Sequence, residues 1–365
     1  PDTRIDGWDA CSGYYYADST MNGFSHNHVS GTGCADYGDF LLMPTVGEQQ
    51  YNPQDYVSQT EPYASSFSHE HETAEPGYYS VFLDRYGVKA ELTSTPRAAL
   101  HRYTFPETAD AGFILDMDYS IQYQTNLDMQ VEVVSDTEIK GSKLTKYWAF
   151  DQQASFYAKF SKPFTYTIVR DTLTDAKGRV QPRCKVLLKF ETQKDEQVLV
   201  KVGLSTVDTE GAKKNLEAEI PAWDFDKVRN DAKAAWNSWL SKIDITTTNE
   251  TNKEIFYTAM YHAAISPNLF TDADGRHWGM DMKAHQGDVN KPVYTVFSLW
   301  DTFRALHPLL TIIDPQLNND FIRSLILKSQ EGGVFPKWEL AGNYTGTMIG
   351  YHAVSLIADA YTKGI

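Results

Sequence analysis

The hydrophobic period of this 365-residue sequence changes within residues 221–243, PAWDFDKVRNDAKAAWNSWLSKI. Steps of three and four separate the apolar residues here, which places them on one stripe of an amphipathic helix. The stripe consists of Phe225, Val228, Ala232, Ala235, Trp236, Trp239, Leu240 and Ile243. Strand-like segments precede this helix and helical segments follow it. We therefore predict a multi-domain β + α protein with a first domain over 1–221, a linker helix within 222–250 and a second domain over 251–365.

The first domain is predicted to be an antiparallel β-sandwich. Its apolar segments are short, rich in β-branched and aromatic residues, and separated by turns rich in Gly, Pro, Asp or Lys. Examples cover residues 79–83, 88–92, 113–117 and 185–190. Turns are predicted at Lys140-Gly141 and at 175–179, and no helix is predicted before residue 220.

The second domain is predicted to be helical. A helix from Asn252 ends near Pro267 in this prediction, and further helices cover 299–312, 315–329 and 347–361. The buried face of the first of these comprises Ile255, Phe256, Ala259, Met260 and Ala263. Asp314 followed by Pro315 marks a helix start, because aspartate caps a helix and proline fits its first position. The pattern is typical of a helical barrel or array with functional loops.

Composition excludes several classes of partner. The 33 Lys and Arg residues against 48 Asp and Glu residues give a net charge of −15 at pH 7, the wrong sign for binding a polyanion. Nucleic acid and anionic membrane surfaces are therefore not expected as partners. No stretch approaches the roughly 18 apolar residues that span a bilayer, so we expect a soluble protein without a transmembrane segment.

The cysteines and the first residues bear on the compartment. Cys11, Cys34 and Cys184 form neither a disulfide scaffold nor a zinc template, and a bridge between Cys11 and Cys34 stays open. The sequence starts at Pro1 without an initiator Met or a signal-peptide core, so we expect that processing or another boundary sets this start. A secreted origin is compatible with these features.

Two segments are rich in histidine. In GFSHNHVSGTG, residues 23–33, His26 and His28 would project on one face of a strand. A metal site is the less favoured interpretation, because no third ligand is identifiable, and a hydrogen-bonding pair is preferred. The glycines of this segment would let backbone amides approach a ligand. The second segment, FSHEHE at 67–72, lacks the spacing of a zinc-protease helix and predicts a loop of local hydrogen bonds that supports its neighbour.

Two further segments each join an indole to a carboxylate. Trp300-Asp301 opens a predicted helix, and Trp338-Glu339 follows the turn residues 331–333. An indole covers the apolar C–H face of a sugar, while a carboxylate accepts hydrogen bonds from vicinal hydroxyls. The two pairs therefore predict carbohydrate binding.

Structural alternatives for both pairs stay open at this point. Asp301 would cap the helix that follows it, or Glu339 would pair with Lys337 or Arg304. Glycoside cleavage needs two carboxyl groups, one acid and one base or nucleophile. Asp301 and Glu339 could in principle form such a pair, but the sequence does not give their separation.

A series of motifs along the whole chain has the order found in one known family. In the first domain these are DGWDACSGY at 6–14, GFSHNHVSGTG at 23–33, DYGD at 36–39, PGYY at 76–79, AELT at 90–93 and HRYTFP at 101–106. In the second domain they are SLWDTFR at 298–304 and DAYTKGI at 359–365. The series resembles glycoside hydrolase family 92, the calcium-dependent exo-acting α-mannosidases.

The resemblance implies a β-sandwich, linker helices and the first helices of an (α/α)6 barrel. It also implies an inverting hydrolase that releases mannose from the non-reducing end of α-mannosides such as N-glycan or mannan chains. A Ca2+ ion would contact mannose hydroxyls, which suits the preference of this cation for oxygen ligands. Mannose-containing glycans are thus the expected partners, and a secreted, periplasmic or cell-surface location in a bacterium is expected.

Site residues follow from the resemblance and from the indole–carboxylate pairs. The resemblance implies a sugar-binding role for Trp300 and Asp301, and for the loop residues Gly31, Thr32 and Gly33 with His28. Trp338 and Glu339 complete the set of predicted substrate-binding residues.

The resemblance also has a gap. Motifs similar to the family's acid, base and calcium-binding regions do not occur before Ile365, so these residues are expected beyond it. At about 11 to 12 residues per helix, the second domain holds about four or five of a closed barrel's twelve helices, and Ile365 is interpreted as a truncation or chain boundary. Two alternatives stay open: a non-catalytic mannose-binding fragment, and a mannosyl-phosphate hydrolase of the same family, because a leaving phosphate needs less acid assistance.

Overall fold

The computed structural model describes residues 1–4, 12–30, 32–33, 36–51, 60–121, 124–174 and 178–365. They form two compact units. The first comprises residues 1–148 and 153–232, and the second comprises residues 149–152 and 233–365.

The first unit consists mainly of antiparallel strands. They are β1 (Thr20–Met21), β2 (Leu41–Val46), β3 (Ser65–Ser66), β4 (Glu72–Glu75), β5 (Tyr78–Leu83), β6 (Val88–Ser94), β7 (Ala98–Phe105), β8 (Thr108–Asp116), β9 (Thr125–Val133), β10 (Glu138–Lys146), β11 (Gln152–Phe160), β12 (Thr165–Thr174), β13 (Val180–Thr192) and β14 (Glu196–Ser205). The four segments predicted as strands fall within β5, β6, β8 and β13, except that the third extends one residue past Asp116.

Two large sheets enclose one core, as a β-sandwich requires. The strand order is β4-β5-β6-β7-β14-β11-β10-β9 in the larger sheet and β12-β13-β8-β2 in the smaller. Phe105 and Val200 from the larger sheet share a buried cluster with Phe113 and Val186 from the smaller, and the rings of Phe105 and Phe113 lie 5.7 Å apart. The predicted antiparallel β-sandwich is confirmed.

Two local predictions in this unit are wrong, and both concern places where a glycine lets another part of the backbone approach closely. Lys140-Gly141 is not a turn but lies inside β10, where Gly141 pairs with Val131 of β9 and a Cβ atom would come within 2.6 Å of a backbone oxygen. A helix missing from the prediction, α1 (Thr209–Glu219), packs against β14, where a Cβ atom on Gly203 would lie 2.1 Å from the Ala212 carbonyl oxygen. The apolar stripe of α1 is too narrow to show in the sequence.

Helices and short strands alternate in the rest of the chain. The helices are α2 (Phe225–Leu240), α3 (Glu250–Ala263), α4 (Leu299–Thr302), α5 (Leu306–Ile313), α6 (Pro315–Gly332) and α7 (His352–Thr362). The strands are β15 (Asn268–Leu269), β16 (Arg276–Trp278), β17 (Ala284–Gln286), β18 (Tyr294–Thr295), β19 (Phe297–Ser298), β20 (Trp338–Leu340) and β21 (Asn343–Tyr344). These short strands form two two-stranded sheets and the three-stranded sheet β19-β20-β21.

The predicted helices are present with corrected bounds. Asp314 caps α6 by accepting a hydrogen bond from the Leu317 N–H at 3.1 Å, as the Asp-Pro signal predicts. Residues 299–312 form two helices rather than one, because Pro308 lacks the N–H and its ring disfavours a helical turn before it. The last helix begins at His352 rather than residue 347, after a left-handed Gly350 with φ of 85°.

The amphipathic stripes of α2 and α3 are less buried than predicted. Only Phe225 and Val228 are buried on α2, and only Met260 on α3. Ile255, predicted to face a core, is 62 % exposed. The linker helix also ends at Leu240, three residues before the predicted end of its stripe.

Two sequence-level expectations concern cysteines and membranes. The open Cys11–Cys34 bridge lies outside the described residues, while Cys184 is a free, buried thiol in β13. Among the described residues, none of the helices is both long and apolar enough to cross a bilayer.

Candidate functional site

Trp300 and Asp301 lie in the first turn of α4, as predicted. Asp301 is exposed and Trp300 is half-buried. The Asp301 carboxylate accepts a hydrogen bond from Ser298 Oγ, and within the described parts of the chain it has no other hydrogen-bond donor. The Arg304 guanidinium lies 4.5 Å from the centroid of the Trp300 ring. The carboxylate thus keeps free acceptor capacity next to an indole whose one face is occupied.

Trp338 and Glu339 differ from the first pair in being buried. Trp338 is 2 % exposed and Glu339 is fully buried. Lys328 Nζ donates a hydrogen bond to Glu339 Oε1 at 2.8 Å, and the Lys328 side chain is only 1 % exposed. The hydroxyl of Thr295 donates a further hydrogen bond to the carboxylate at 2.9 Å.

Backbone amides complete the set of donors around Glu339. The N–H of Gly342 lies 2.8 Å from Oε1, and the N–H of Val296 lies 3.2 Å from Oε2. A carboxylate surrounded by donors and closed to solvent has no acceptor capacity for a sugar hydroxyl. The structure therefore gives no support to sugar binding by Trp338 and Glu339.

The alternative partners that the sequence suggested for Glu339 are also wrong. Glu339 pairs with Lys328 of α6 rather than with Lys337 or Arg304. Nor does Asp301 cap α4 through a backbone amide: Ser298 occupies the N-cap position, and the Asp301 carboxylate is bonded to its hydroxyl.

Two residues near Glu339 have a strained backbone. Val296 has φ of 67° and Ala341 has φ of 51°, a region that residues other than glycine rarely adopt, β-branched residues such as Val296 least of all. Each such residue costs of order 1–3 kcal/mol unless its surroundings enforce it. The Glu339 carboxylate binds the Val296 N–H, and the Thr295 hydroxyl accepts from the Ala341 N–H at 2.8 Å. The buried carboxylate thus helps to hold the strained segment that leads into Trp300.

Sequence reasoning missed Lys328, although the sequence carries a signal for it. The buried face of α6 includes Phe321, Leu325 and Lys328 at steps of four and three. A lysine on an apolar helical stripe needs an anionic partner to be buried. Only the fold shows that this partner is Glu339.

In the first unit, His28 belongs to a hydrogen-bonded group with Asp2 and Ser25. Asp2 is fully buried and accepts hydrogen bonds from the Ser25 N–H at 2.7 Å and the Ser25 hydroxyl at 2.8 Å. His28 Nε2 lies 3.0 Å from Asp2 Oδ1. Burial raises the pKa of Asp2, but the charge and the hydrogen bond of His28 outweigh it and lower this pKa to about 2.

The same three residue types serve as a catalytic triad in many hydrolases, but the geometry here differs. Ser25 Oγ and Asp2 Oδ1 both contact Nε2 of His28, at 2.9 and 3.0 Å. A triad instead places its serine and aspartate on opposite ring nitrogens. The group therefore fixes the segment that carries His28 and does not activate Ser25.

His26 plays a separate structural role. Its Nδ1–H donates to the Phe40 carbonyl oxygen at 2.6 Å, and its ring stacks on His101 at 5.1 Å. Burial lowers the pKa of His26 to about 4, so the ring is neutral near pH 7. The preferred interpretation of His26 and His28 as hydrogen-bonding residues is confirmed.

The predicted loop residues Thr32 and Gly33 are half-buried, while Gly31 lies outside the described residues. The base of their loop is held by Asn27 and Asp39. The Asn27 amide donates to Asp39 Oδ2 at 2.7 Å, and the Asp39 N–H donates to Asn27 Oδ1 at 2.8 Å. Lys143 Nζ, also fully buried, lies 3.1 Å from Asp39 Oδ1.

The second histidine segment forms the predicted network of local hydrogen bonds. Residues His69–His71 make one 3₁₀ turn, and His69 Nδ1 lies 2.5 Å from Glu72 Oε2. The hydroxyls of Tyr14 and Tyr79 also donate to Glu72, and Tyr16 stacks on His69 at 4.2 Å. The segment thus supports the neighbouring residues 14–16.

Within the described ranges, no group of three or more His, Cys, Asp or Glu side chains has the arrangement of a metal site. The candidate carboxylates Asp301 and Glu339 also have different environments, since only the former is open to solvent. No step of a reaction is therefore assigned to a metal held by these residues.

Comparisons with known proteins assign the family. Residues 1–205 match the model of the glycosyl hydrolase family 92 N-terminal domain, and residues 211–365 match that of the glycosyl hydrolase family 92 catalytic domain. The chain belongs to glycosyl hydrolase family 92. This confirms the family that the motif series resembles.

Solved structures agree with this family and with the fold. A family GH92 α-mannosidase from Bacteroides thetaiotaomicron, BT3965, is 37 % identical, with a TM-score of 0.92 over 100 % of this chain and 50 % of that chain. The inverting mannosidase BT2199 of the same organism is 26 % identical, with a TM-score of 0.84 over 100 % of this chain and 48 % of that chain. The present chain therefore spans about half the length of these enzymes.

A relative known from sequence is an uncharacterized secreted glycosidase of Arthroderma benhamiae. It is 27 % identical over 306 residues, which cover 73 % of this chain and 38 % of the relative. The chain thus matches less than half of this protein as well.

Proposed function

We propose that the intact protein containing this chain is an exo-acting α-mannosidase. It releases mannose from the non-reducing end of α-mannosides in N-glycan or mannan chains, with inversion at the anomeric carbon and with the aid of Ca2+. The observation that carries the proposal is the match to an α-mannosidase over the whole chain, at 37 % identity and a TM-score of 0.92. BT3965 has also been solved in complex with mannoimidazole, and BT2199 is described as inverting.

In this proposal the present chain contributes sugar contacts rather than the acid and base. Asp301 accepts hydrogen bonds from sugar hydroxyls with the acceptor capacity that Ser298 leaves free. The accessible part of Trp300 covers a C–H face of the ring. His28, Gly31, Thr32 and Gly33 form a second set of contacts, with His28 fixed by Asp2.

Calcium enters the proposal for the intact protein only. Bound Ca2+ would hold and polarise sugar oxygens, since it prefers oxygen ligands. Among the described residues, no group of three or more His, Cys, Asp or Glu side chains has the arrangement of a metal site, and the proposal assigns no ligand in this chain. The acid and the base are likewise sought outside the present chain.

The test is an assay of the intact protein on an aryl α-mannoside and on a high-mannose glycan, with and without a calcium chelator. We expect mannose release that the chelator abolishes and that added Ca2+ restores. Proton NMR of the early product should show β-mannose first, because inversion at an α-mannoside yields the β anomer. Absence of mannose release under every condition contradicts the proposal, and early α-mannose contradicts inversion.

Calorimetry distinguishes hydrolysis from binding alone. A protein that binds mannose or a thio-linked mannoside without turnover would be a lectin-like member of the family. A mannosyl phosphate cleaved much faster than an aryl mannoside would indicate the alternative of a mannosyl-phosphate hydrolase of the same family.

The secreted description of the relative from Arthroderma benhamiae supports a secreted, periplasmic or cell-surface location, which we propose together with a bacterial source.

A further inference from the structure

A chain of contacts runs from the buried interior of the second unit to Asp301. It begins at Lys328 of α6, whose Nζ donates to Glu339 at 2.8 Å. Glu339 lies on β20, where it pairs with Phe297 of β19. The neighbouring residue of β19, Ser298, pairs with Trp338 and donates its hydroxyl hydrogen bond to Asp301.

The link between Glu339 and β19 is made at a strained residue. The Val296 N–H donates to Glu339 Oε2 at 3.2 Å, and Val296 has φ of 67°. A backbone amide bound to a charged carboxylate is held more firmly than one bound to a neutral acceptor. The carboxylate therefore fixes the point from which β19 starts, only a few residues before Trp300.

Burial makes this link stiff. Lys328 and Glu339 are 1 % and 0 % exposed, so neither is screened by solvent. A buried ion pair is a weak source of net stability, since the desolvation of two charges offsets their attraction. Its better-attested effect is to fix one arrangement of the elements that carry it, here α6 and the paired strands β19 and β20.

We infer that Lys328 and Glu339 are positioning residues for the sugar-binding pair Trp300 and Asp301. The inference rests on the proposed function, in which Asp301 contacts sugar. The ion pair sets the course of β19, and Ser298 then orients the Asp301 carboxylate. Neither Lys328 nor Glu339 touches substrate.

The test compares two buried carboxylates in the intact protein. Lys328→Met combined with Glu339→Gln removes both charges together, so that no unpaired charge stays buried. The matched control is Glu331→Gln, because Glu331 also belongs to α6, has a side chain that is only 7 % exposed, and accepts from His277 Nε2 at 2.8 Å and from a backbone amide. Glu331 contacts neither β19 nor Asp301 among the contacts described.

We expect the double variant to lower kcat/KM on an aryl α-mannoside by roughly tenfold or more, mainly through a higher KM, because small displacements of a binding group cost this much. The control should stay within about twofold of wild type, with thermal midpoints recorded for both. A folded double variant with wild-type kcat and KM overturns the inference. An equal loss in the control also overturns it, since both losses would then come from destabilisation.

Variants of Ser298 test the inference if the double variant does not fold. Ser298→Ala removes the last link at a partly exposed position, and Ser298→Thr restores the hydroxyl. We expect a raised KM in the first and recovery in the second, whereas an unchanged KM in Ser298→Ala overturns the inference. A wild-type protein that releases no mannose contradicts the proposed function itself, which separates the two failures.

Discussion

The two indole–carboxylate pairs are alike in sequence and opposite in structure. Trp300-Asp301 opens a helix at the surface, with a single hydrogen bond to the carboxylate from a described residue. Trp338-Glu339 lies on a short strand, is closed to solvent and is bonded to a buried lysine. The donors that surround each carboxylate therefore decide its role: Asp301 accepts from a residue three positions away, whereas Glu339 also accepts from residues 295 and 296, more than 40 positions away.

The two environments also give the two carboxylates different roles. An exposed carboxylate with spare acceptor capacity is able to bind a ligand, whereas a saturated one organises the protein around it. In this unit Glu339 organises the segment 295–298 that leads to Asp301. The buried pair Trp338-Glu339 thus helps to position the pair Trp300-Asp301, whose carboxylate is open to solvent.

The largest expected effect is on stability at the buried pair. Glu339→Ala leaves Lys328 as an unpaired buried cation and should lower the free energy of unfolding by about 3–5 kcal/mol. Denaturant unfolding of the intact protein measures this loss. Asp301→Ala is the matched control and should change stability by no more than about 0.5 kcal/mol, as surface substitutions usually do. Equal losses of unfolding free energy in the two variants would contradict the difference between the buried and the exposed carboxylate.

The next effect is on substrate binding at the exposed pair. Asp301→Ala should lower kcat/KM by about 2 kcal/mol, roughly thirtyfold, because a charged hydrogen bond to a bound hydroxyl is lost. The thermal midpoint should stay unchanged. Asp359→Ala, which removes a helical carboxylate paired with Lys363, serves as the control with wild-type kinetics. Wild-type kinetics in the Asp301 variant would reduce Asp301 to a partner of Ser298.

The smallest effect extends the comparison to Glu61, whose carboxyl group is only partly buried. Burial and the negative charge of Asp116 raise the pKa of Glu61 from 4.5 to about 7. Between pH 4.5 and 7 the folded state binds more protons than the unfolded chain. The contribution of Glu61 to the free energy of unfolding therefore falls as the pH rises. The free energy of unfolding of Glu61→Gln should therefore rise relative to that of wild type between pH 4.5 and 7, by about 1 kcal/mol after allowance for partial exposure.

Thermal midpoints of both proteins across this pH range test the prediction. Comparison with the variant cancels the titrating groups that do not interact with Glu61. A constant difference between wild type and Glu61→Gln shows that Glu61 has an ordinary pKa. A difference that shrinks as pH rises contradicts the sign.

Local patterns predicted four of the strands and most of the helices. Short segments rich in β-branched and aromatic residues predicted β5, β6, β8 and β13, and the Asp314-Pro315 signal predicted the start of α6, because capping and strand propensity act over a few residues. The sequence pattern did not predict helix α1, because only Ala212 and Leu216 are apolar and buried on it. Its packing depends on Gly203 of a neighbouring strand, which no local window contains.

The site divides in the same way. Residue types and their spacing predicted the family, the sandwich followed by helices, and the candidate pairs. The folded chain shows that Asp301 is open while Glu339 is bonded to Lys328, and that His28 is fixed by Asp2. Desolvation, and partners such as Thr295 for Glu339 and Asp2 for His28, come from residues far apart in the chain, so no local pattern specifies them.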